Sequence, residues 1–309
     1  MDVKDLHLFL SETSSLVERY QIQEGPRMNI LITGANGQLG NALKEILKNE
    51  KLSLADLPKI NLTIPQDTLD YILMVKPEVV IHCAAKTNVD ECEMNPTSAY
   101  LGNVLATKNV VNACQSANSI LVYISTDYVF DGCKNLPYHE YDLCKPINIY
   151  GKTKWQGEEI VKMHLNKFFI IRTAWLFGDI GHNFVKTILK LAEESKSLTI
   201  VNDQFGSPTY AFDLAMVIAK LIQTKAYGIY HITNTGNCSW FEFAGQILKY
   251  AGQKEVSLKA LSSEELNRPA PRPRYSILAQ DALDLMGIAM PSYQDALQRY
   301  FIKNYPLSK

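Results

Sequence analysis

Cysteine pairs at metal-binding spacing are missing from this chain. Its six cysteines, Cys83, Cys92, Cys114, Cys133, Cys144 and Cys238, form no Cys-x-x-Cys, and no His-x-x-x-His accompanies them. Neither a zinc site nor a disulfide framework is expected. Long apolar runs are missing too: none approaches the ~18 residues of a membrane span. An excess of one charge is absent, since 31 Lys+Arg against 32 Asp+Glu leave a net charge of −1. That balance carries no electrostatic footprint for nucleic acid or an anionic membrane. Asp2, Lys4, Asp5 and Glu12 surround a short Leu6–Leu10 stretch where a signal peptide would need an apolar h-region, so cytoplasmic residence is the default expectation. Internal repeats and low-complexity tracts are also lacking.

What is present is an ordinary globular composition, 309 residues with 47% hydrophobic and 20% charged, enough for one large or two modest domains. Residues 1–27 read as an extension, a short amphipathic helix carrying Leu6, Phe9, Leu10, Leu16 and Val17, then a linker at 23–27. From Met28 strand and helix patterns alternate. Strands are expected at 28–33, 52–56, 78–83, 119–124 and 168–172. Helices are expected at 38–48, 68–75, 150–165 and, as one long helix opened by Pro96, at 96–116. Such alternation implies right-handed βαβ units and a doubly wound parallel sheet of Rossmann type. Beyond Trp175 it loosens, with helices expected at 183–194 and 212–223 and short strands at 198–201 and 229–232. The expected division is a nucleotide-binding domain over 28–175, with sheet returns from later segments, and a smaller α/β substrate-binding region over 176–309.

Between the first strand and first helix lies Thr33-Gly34-Ala35-Asn36-Gly37-Gln38-Leu39-Gly40, a Gly-x-x-Gly-x-x-Gly run. Glycines let the backbone turn tightly and approach a pyrophosphate, and the helix start offers free N–H groups and a positive dipole end. Strand before and helix after are the context that makes the motif meaningful. Asp56 ends the second strand, where a carboxylate accepts from the adenine ribose and repels a 2′-phosphate. That leans towards NADH, with nearby Lys59 keeping NADPH open. Ala84-Ala85-Lys86 follows the third strand with small residues beside the expected cofactor path.

Ser125-Thr126-Asp127 closes the fourth strand, and Tyr150 and Lys154 follow at i, i+4 on one helix face. A cation beside a phenol favours the phenolate, so Lys154 is expected to lower the Tyr150 pKa and fit it for proton exchange with a carbonyl or hydroxyl. The spacing alone is weak, since Tyr141/Lys145, Tyr250/Lys254 and Tyr305/Lys309 share it. Lys145 precedes Pro146, the second pair spans Gly252 and the third contains Pro306; only Tyr150/Lys154 continues into a periodic helix. Asn267-Arg268-Pro269-Ala270-Pro271-Arg272-Pro273-Arg274 is extended and basic, a candidate anion site.

Together the glycine run, Ser125 to Gly132 and Tyr150/Lys154 resemble an extended short-chain dehydrogenase/reductase. Arg172-Thr173-Ala174-Trp175, Asn183 to Thr187, Asn202 to Thr209, Arg268-Pro269 and Arg272-Pro273 narrow the resemblance to the dTDP-4-dehydrorhamnose reductase family, from Met28 nearly to the C-terminus. The resemblance implies NADPH- or NADH-dependent reduction of the C4 ketone of dTDP-4-dehydro-L-rhamnose. It makes Tyr150 the proton donor, Lys154 the holder of the nicotinamide ribose, and Thr126, with Ser125, the group that meets the carbonyl, with Asp127 among the substrate-binding residues. It adds Asn36, Gln38, Leu39, Asn61 and Leu62 to the cofactor set. Trp175, Asn183 and Phe184 join the sugar side, with Arg272 for the diphosphate. Some family members hold magnesium at a dimer face through three glutamates; the matching positions here are Ala42, Phe212 and Gln294, so a monomer or a metal-free homodimer is expected.

Two other readings stay open. The regulatory β subunit of methionine adenosyltransferase shares the fold, the Ser-x-Asp-Tyr-Val-Phe-Asp-Gly segment and Tyr-Gly-Lys-Thr-Lys, without being an enzyme. A reductase or epimerase of another 4-keto nucleotide sugar would use the same proton donor.

Overall fold

The computed structural model describes residues 27–305. The helix expected near the N-terminus and Lys309 lie outside them. Six strands form one parallel sheet: β1 (Asn29–Thr33), β2 (Lys51–Ala55), β3 (Val79–His82), β4 (Ile120–Thr126), β5 (Phe168–Thr173) and β6 (Gly228–His231). Their order is β6-β5-β4-β3-β1-β2. The chain reverses direction across the sheet between β1 and β3, which opens a crevice at their C-terminal ends where nucleotides bind in such folds. The expected Rossmann architecture is what the chain adopts.

The inner strands are nearly continuous apolar runs, rich in Ile, Val, Leu and Phe, because both faces are covered. Ile30 and Ile32 point to one side, where Leu39 and Leu43 of α1 (Gln38–Ile46) pack with Leu214, Ile218 and Leu221. Leu31 points to the other, against Ile72, Val110, Val111 and Val161. These partners lie on α2 (Pro65–Val75), the Ala106–Ala117 helix and the Ile149–His164 helix. A third core, with Phe177, Val185, Phe243, Ile247 and Tyr300 fully buried, belongs to the second half of the chain.

The single helix expected at 96–116 is broken into parts. A short helix, α3 (Val89–Met94), precedes it, and Asn95 (φ −134°, ψ 74°) interrupts the backbone before Pro96. The residue before a proline is pushed out of the helical region, and the Asn95 side chain caps the next turn by accepting from Ser98 N–H. Leu101–Leu105 is then a π-helical turn before α4 (Ala106–Ala117).

Candidate active site

A cavity of about 790 Å³ runs along the crevice. Of the residues expected to hold the cofactor, all but Asn36 line it: the turn from Gly34 to Gly40, then Asp56, Asn61 and Leu62, then Ala84, Ala85 and Lys86, then Tyr150 and Lys154. Ser125, Thr126, Asp127 and Trp175 line its other end.

The glycine turn is built for close approach. Gly34 has φ +65°, and a Cβ there would stand 2.6 Å from the Ala84 nitrogen, so β1 and β3 exits touch only through glycine. Asp56 braces this turn: Oδ2 accepts from Asn36 N–H at 2.9 Å and Oδ1 from Leu57 N–H at 2.9 Å. Lys59 points elsewhere, donating to the Leu54 carbonyl at 3.2 Å and lying over the Tyr71 ring. It is not among the cavity's lining residues.

The catalytic candidates sit on α5 (Ile149–His164). Asn148 caps it: Oδ1 accepts from Gly151 N–H and Nδ2 donates to the Pro271 carbonyl, both at 2.8 Å. Gly151 packs so tightly on the Tyr128 carbonyl that no Cβ would fit, which seats the helix start against the end of β4. Lys154 is buried, its ammonium 4.2 Å from the centre of the Tyr123 ring. Burial pulls its pKa down to about 7, against the opposing pull of the Glu158 carboxylate. The expected depression of the Tyr150 pKa by Lys154 is corrected by this arrangement. Burial of the phenol dominates and raises it, with the Thr126 hydroxyl pulling the other way. Lys154 directs its charge to the Tyr123 ring and towards Glu158, one turn on.

Thr126 donates to Asp127 Oδ1 at 2.9 Å and accepts from Tyr128 N–H at 3.2 Å. Desolvation pushes the buried Asp127 carboxyl up to about 6, against the Ser276 and Thr126 hydroxyls. Ser125, expected to help at the carbonyl, instead donates to Glu158 Oε1 at 2.5 Å. Glu158 also receives Arg172 at 2.8 Å; neither side chain of this ion pair reaches solvent. His82 is a buried core residue. Thr107 donates to the Asn103 carbonyl at 2.7 Å, so His82 Nε2–H donates to Thr107 and Nδ1 accepts from Thr33. Burial holds this imidazole neutral, its pKa lowered to about 3.

Three residues expected on the substrate side do not line the cavity. Arg272 is engaged by Asp90, at 2.5 and 2.8 Å, and donates to the Ala270 carbonyl; Arg268 faces the same carboxylate at 3.6 Å and Arg274 faces Glu264. Two of the three arginines thus share the carboxylate of Asp90, distant in sequence, and the third faces Glu264. Asn183 caps the Phe184–Glu194 helix through Lys186 N–H, and Phe184 packs on Trp240 at 4.4 Å. Ala42 and Phe212 line a second cavity of about 290 Å³, but Gln294 does not. Among the described residues no group of three or more His, Cys, Asp or Glu is placed to hold a metal.

Two contributors escape the sequence reading. Trp240 stacks on Trp175, centroids 3.4 Å apart at 6°, and completes the aromatic wall. Asn103, in the π turn, accepts from Lys86 N–H at 2.7 Å and donates to the Lys86 carbonyl and to Thr153 Oγ1, both at 3.0 Å. It ties the β3 exit to α5, and among the other polar residues of 97–112 nothing in the sequence singled it out. π turns of this kind recur at functional sites.

A Rossmann sheet, a glycine turn beneath a long cavity, and Thr126, Tyr150 and Lys154 at its far end define an extended short-chain dehydrogenase/reductase. The model of the RmlD substrate binding domain matches residues 28–305. The spore coat polysaccharide biosynthesis protein SpsK of Bacillus subtilis is 40% identical, over 88% of this chain and 96% of its own. The dTDP-4-dehydrorhamnose reductase of Aggregatibacter actinomycetemcomitans is 37% identical, over 87% and 97%. The crystal structure of the Bacillus anthracis dTDP-4-dehydrorhamnose reductase in complex with NADP superposes with a TM-score of 0.88 and 44% identity, over 90% of this chain and 100% of that one. The chain belongs to the dTDP-4-dehydrorhamnose reductase family.

Proposed function

We propose that the protein reduces dTDP-4-dehydro-L-rhamnose to dTDP-L-rhamnose at the expense of NADPH or NADH, the last step in making that nucleotide sugar. The observation that carries this reading is the convergence of Thr126, Tyr150 and Lys154 on the cavity that begins at the Gly34–Gly40 turn. Residues 28–175 chiefly hold the cofactor in this reading and later residues the sugar nucleotide.

The wall fits a dinucleotide: free N–H groups of the first turn of α1 at one end, the small side chains of Ala84 and Ala85 midway, and an ammonium and a phenol at the other. Bound there, the reduced nicotinamide supplies the hydride. Tyr150, whose raised pKa keeps it protonated, gives its proton to the oxygen at C4. Thr126 turns its hydroxyl from Asp127 to the same oxygen and stabilises the developing charge. Lys154 holds the ribose and supplies positive charge nearby. Asp56 meets the adenine ribose. Trp175, backed by Trp240, gives the sugar an apolar wall, which lets the enzyme exclude water from the reacting carbon.

The test is oxidation of NADPH and NADH by purified protein given dTDP-4-dehydro-L-rhamnose, followed across several 4-keto nucleotide sugars. Turnover with this substrate is expected, and Tyr150→Phe should slow it by roughly 10² or more. Full turnover in that variant, or a strong preference for another ketosugar, would overturn the assignment. Asp56→Ala should shift the coenzyme ratio towards NADPH.

A further inference from the structure

Beside the apolar packing of Leu39, one side chain hydrogen-bonds the glycine turn to the second half of the chain. Gln38 begins α1 and lines the cavity with its neighbours, yet its amide reaches across to the loop at 178–183. Nε2 donates to the His182 carbonyl at 3.2 Å, and Oε1 accepts from Asn183 Nδ2 at 3.1 Å. The loop is moulded to it: a Cβ at Gly181 would come within 3.3 Å of Gln38 Cγ, and one at Gly178 within 3.7 Å of Oε1. Asn183 is buried and fully committed, since Nδ2 also donates to the Gly178 carbonyl at 2.9 Å while Oδ1 caps the helix that follows. That helix, α6 (Phe184–Glu194), opens with Phe184 against Trp240, and Trp240 stacks on Trp175 at the cavity wall.

We infer that Gln38 and Asn183 are positioning residues that make cofactor binding and sugar-nucleotide binding interdependent. A dinucleotide settling on the turn fixes the start of α1. Gln38 then fixes the 178–183 loop, and through Phe184 and Trp240 the aromatic wall takes its binding position. Thermodynamic reciprocity requires the nucleoside diphosphate to tighten the coenzyme by the same factor. The inference rests on the reductase reading above.

The experiment is calorimetric titration of dTDP into the full chain with and without saturating NADPH, in wild type, Asn183→Ser, Gln38→Met and the double variant. Serine still caps a helix but is too short to reach Gln38; methionine keeps the volume of glutamine and loses both hydrogen bonds. In wild type NADPH should tighten dTDP roughly fivefold or more, the usual scale of coupling between sites. In each single variant that factor should fall towards one, and the double variant should lose no more. A wild type that binds both ligands independently, or variants that melt earlier but keep the factor, would overturn the inference. Absence of binding by either ligand in wild type would instead remove the reductase reading beneath it.

Discussion

In the proposed reaction, Lys154 is the residue on which the chemistry turns most finely. Burial brings its pKa to about 7, so its charge is lost within the working range of most enzymes. The free-enzyme profile of kcat/KM is therefore expected to fall on the alkaline side from about pH 7, and Lys154→Arg, which keeps the charge, should move that limb to higher pH. The same shift acts on stability with a definite sign. Between about 7 and the ordinary lysine value the unfolded chain holds a proton that the folded chain does not, so this group's contribution to stability rises with pH across that window. Arg172 and Glu158 pose the opposite case, an ion pair buried on both sides. Arg172→Met would leave the Glu158 carboxylate buried with the Ser125 hydroxyl and the Lys154 ammonium one turn away, without its ion-pair partner, and should cost about 3–5 kcal/mol in urea unfolding, whereas replacing both partners by apolar residues should cost less.

At the scale of the element, the helix that carries Tyr150 and Lys154 depends on how its first turn is held. Tyr150 is the second residue of α5, directly after the Asn148 cap. Asn148→Ala removes both the cap and the tie to Pro271 and should lower stability by about 1–2 kcal/mol. It should also reduce kcat more than KM for coenzyme, because the phenol loses its fixed seat; steady-state kinetics and denaturant curves separate the two effects. The elements and the heart of the site were legible in the sequence because their signals are local. A glycine run lies between a strand and a helix, and Tyr150 and Lys154 lie one turn apart. What was not legible depends on partners far along the chain. Nothing around Arg272 announces that Asp90 will claim it, and nothing around Trp175 announces Trp240. The π turn at 101–105 was hidden in a stretch that reads as one helix, because the tertiary hydrogen bonds of Asn103 to Lys86 and Thr153 favour the wider turn.

At the scale of the molecule, the two halves of the chain are interlaced. The last strand of the sheet, β6, comes from residues beyond 227, and Leu214, Ile218 and Leu221 from another later segment cover the face of β1. A fragment ending at residue 175 would leave Ile30, Ile32, Val79 and Phe169 without that cover. It should fail to fold or should aggregate, as size-exclusion chromatography and circular dichroism would show, while the whole chain should unfold in one cooperative step. The stacked indoles have a consequence of their own. Two of the three tryptophans lie face to face at the wall of the cavity, so their excited states are shared. The pair should give a split circular-dichroism band that either Trp175→Phe or Trp240→Phe abolishes. A sugar pressing on this wall would alter that band, so the protein carries its own optical gauge of occupancy, readable without label or turnover.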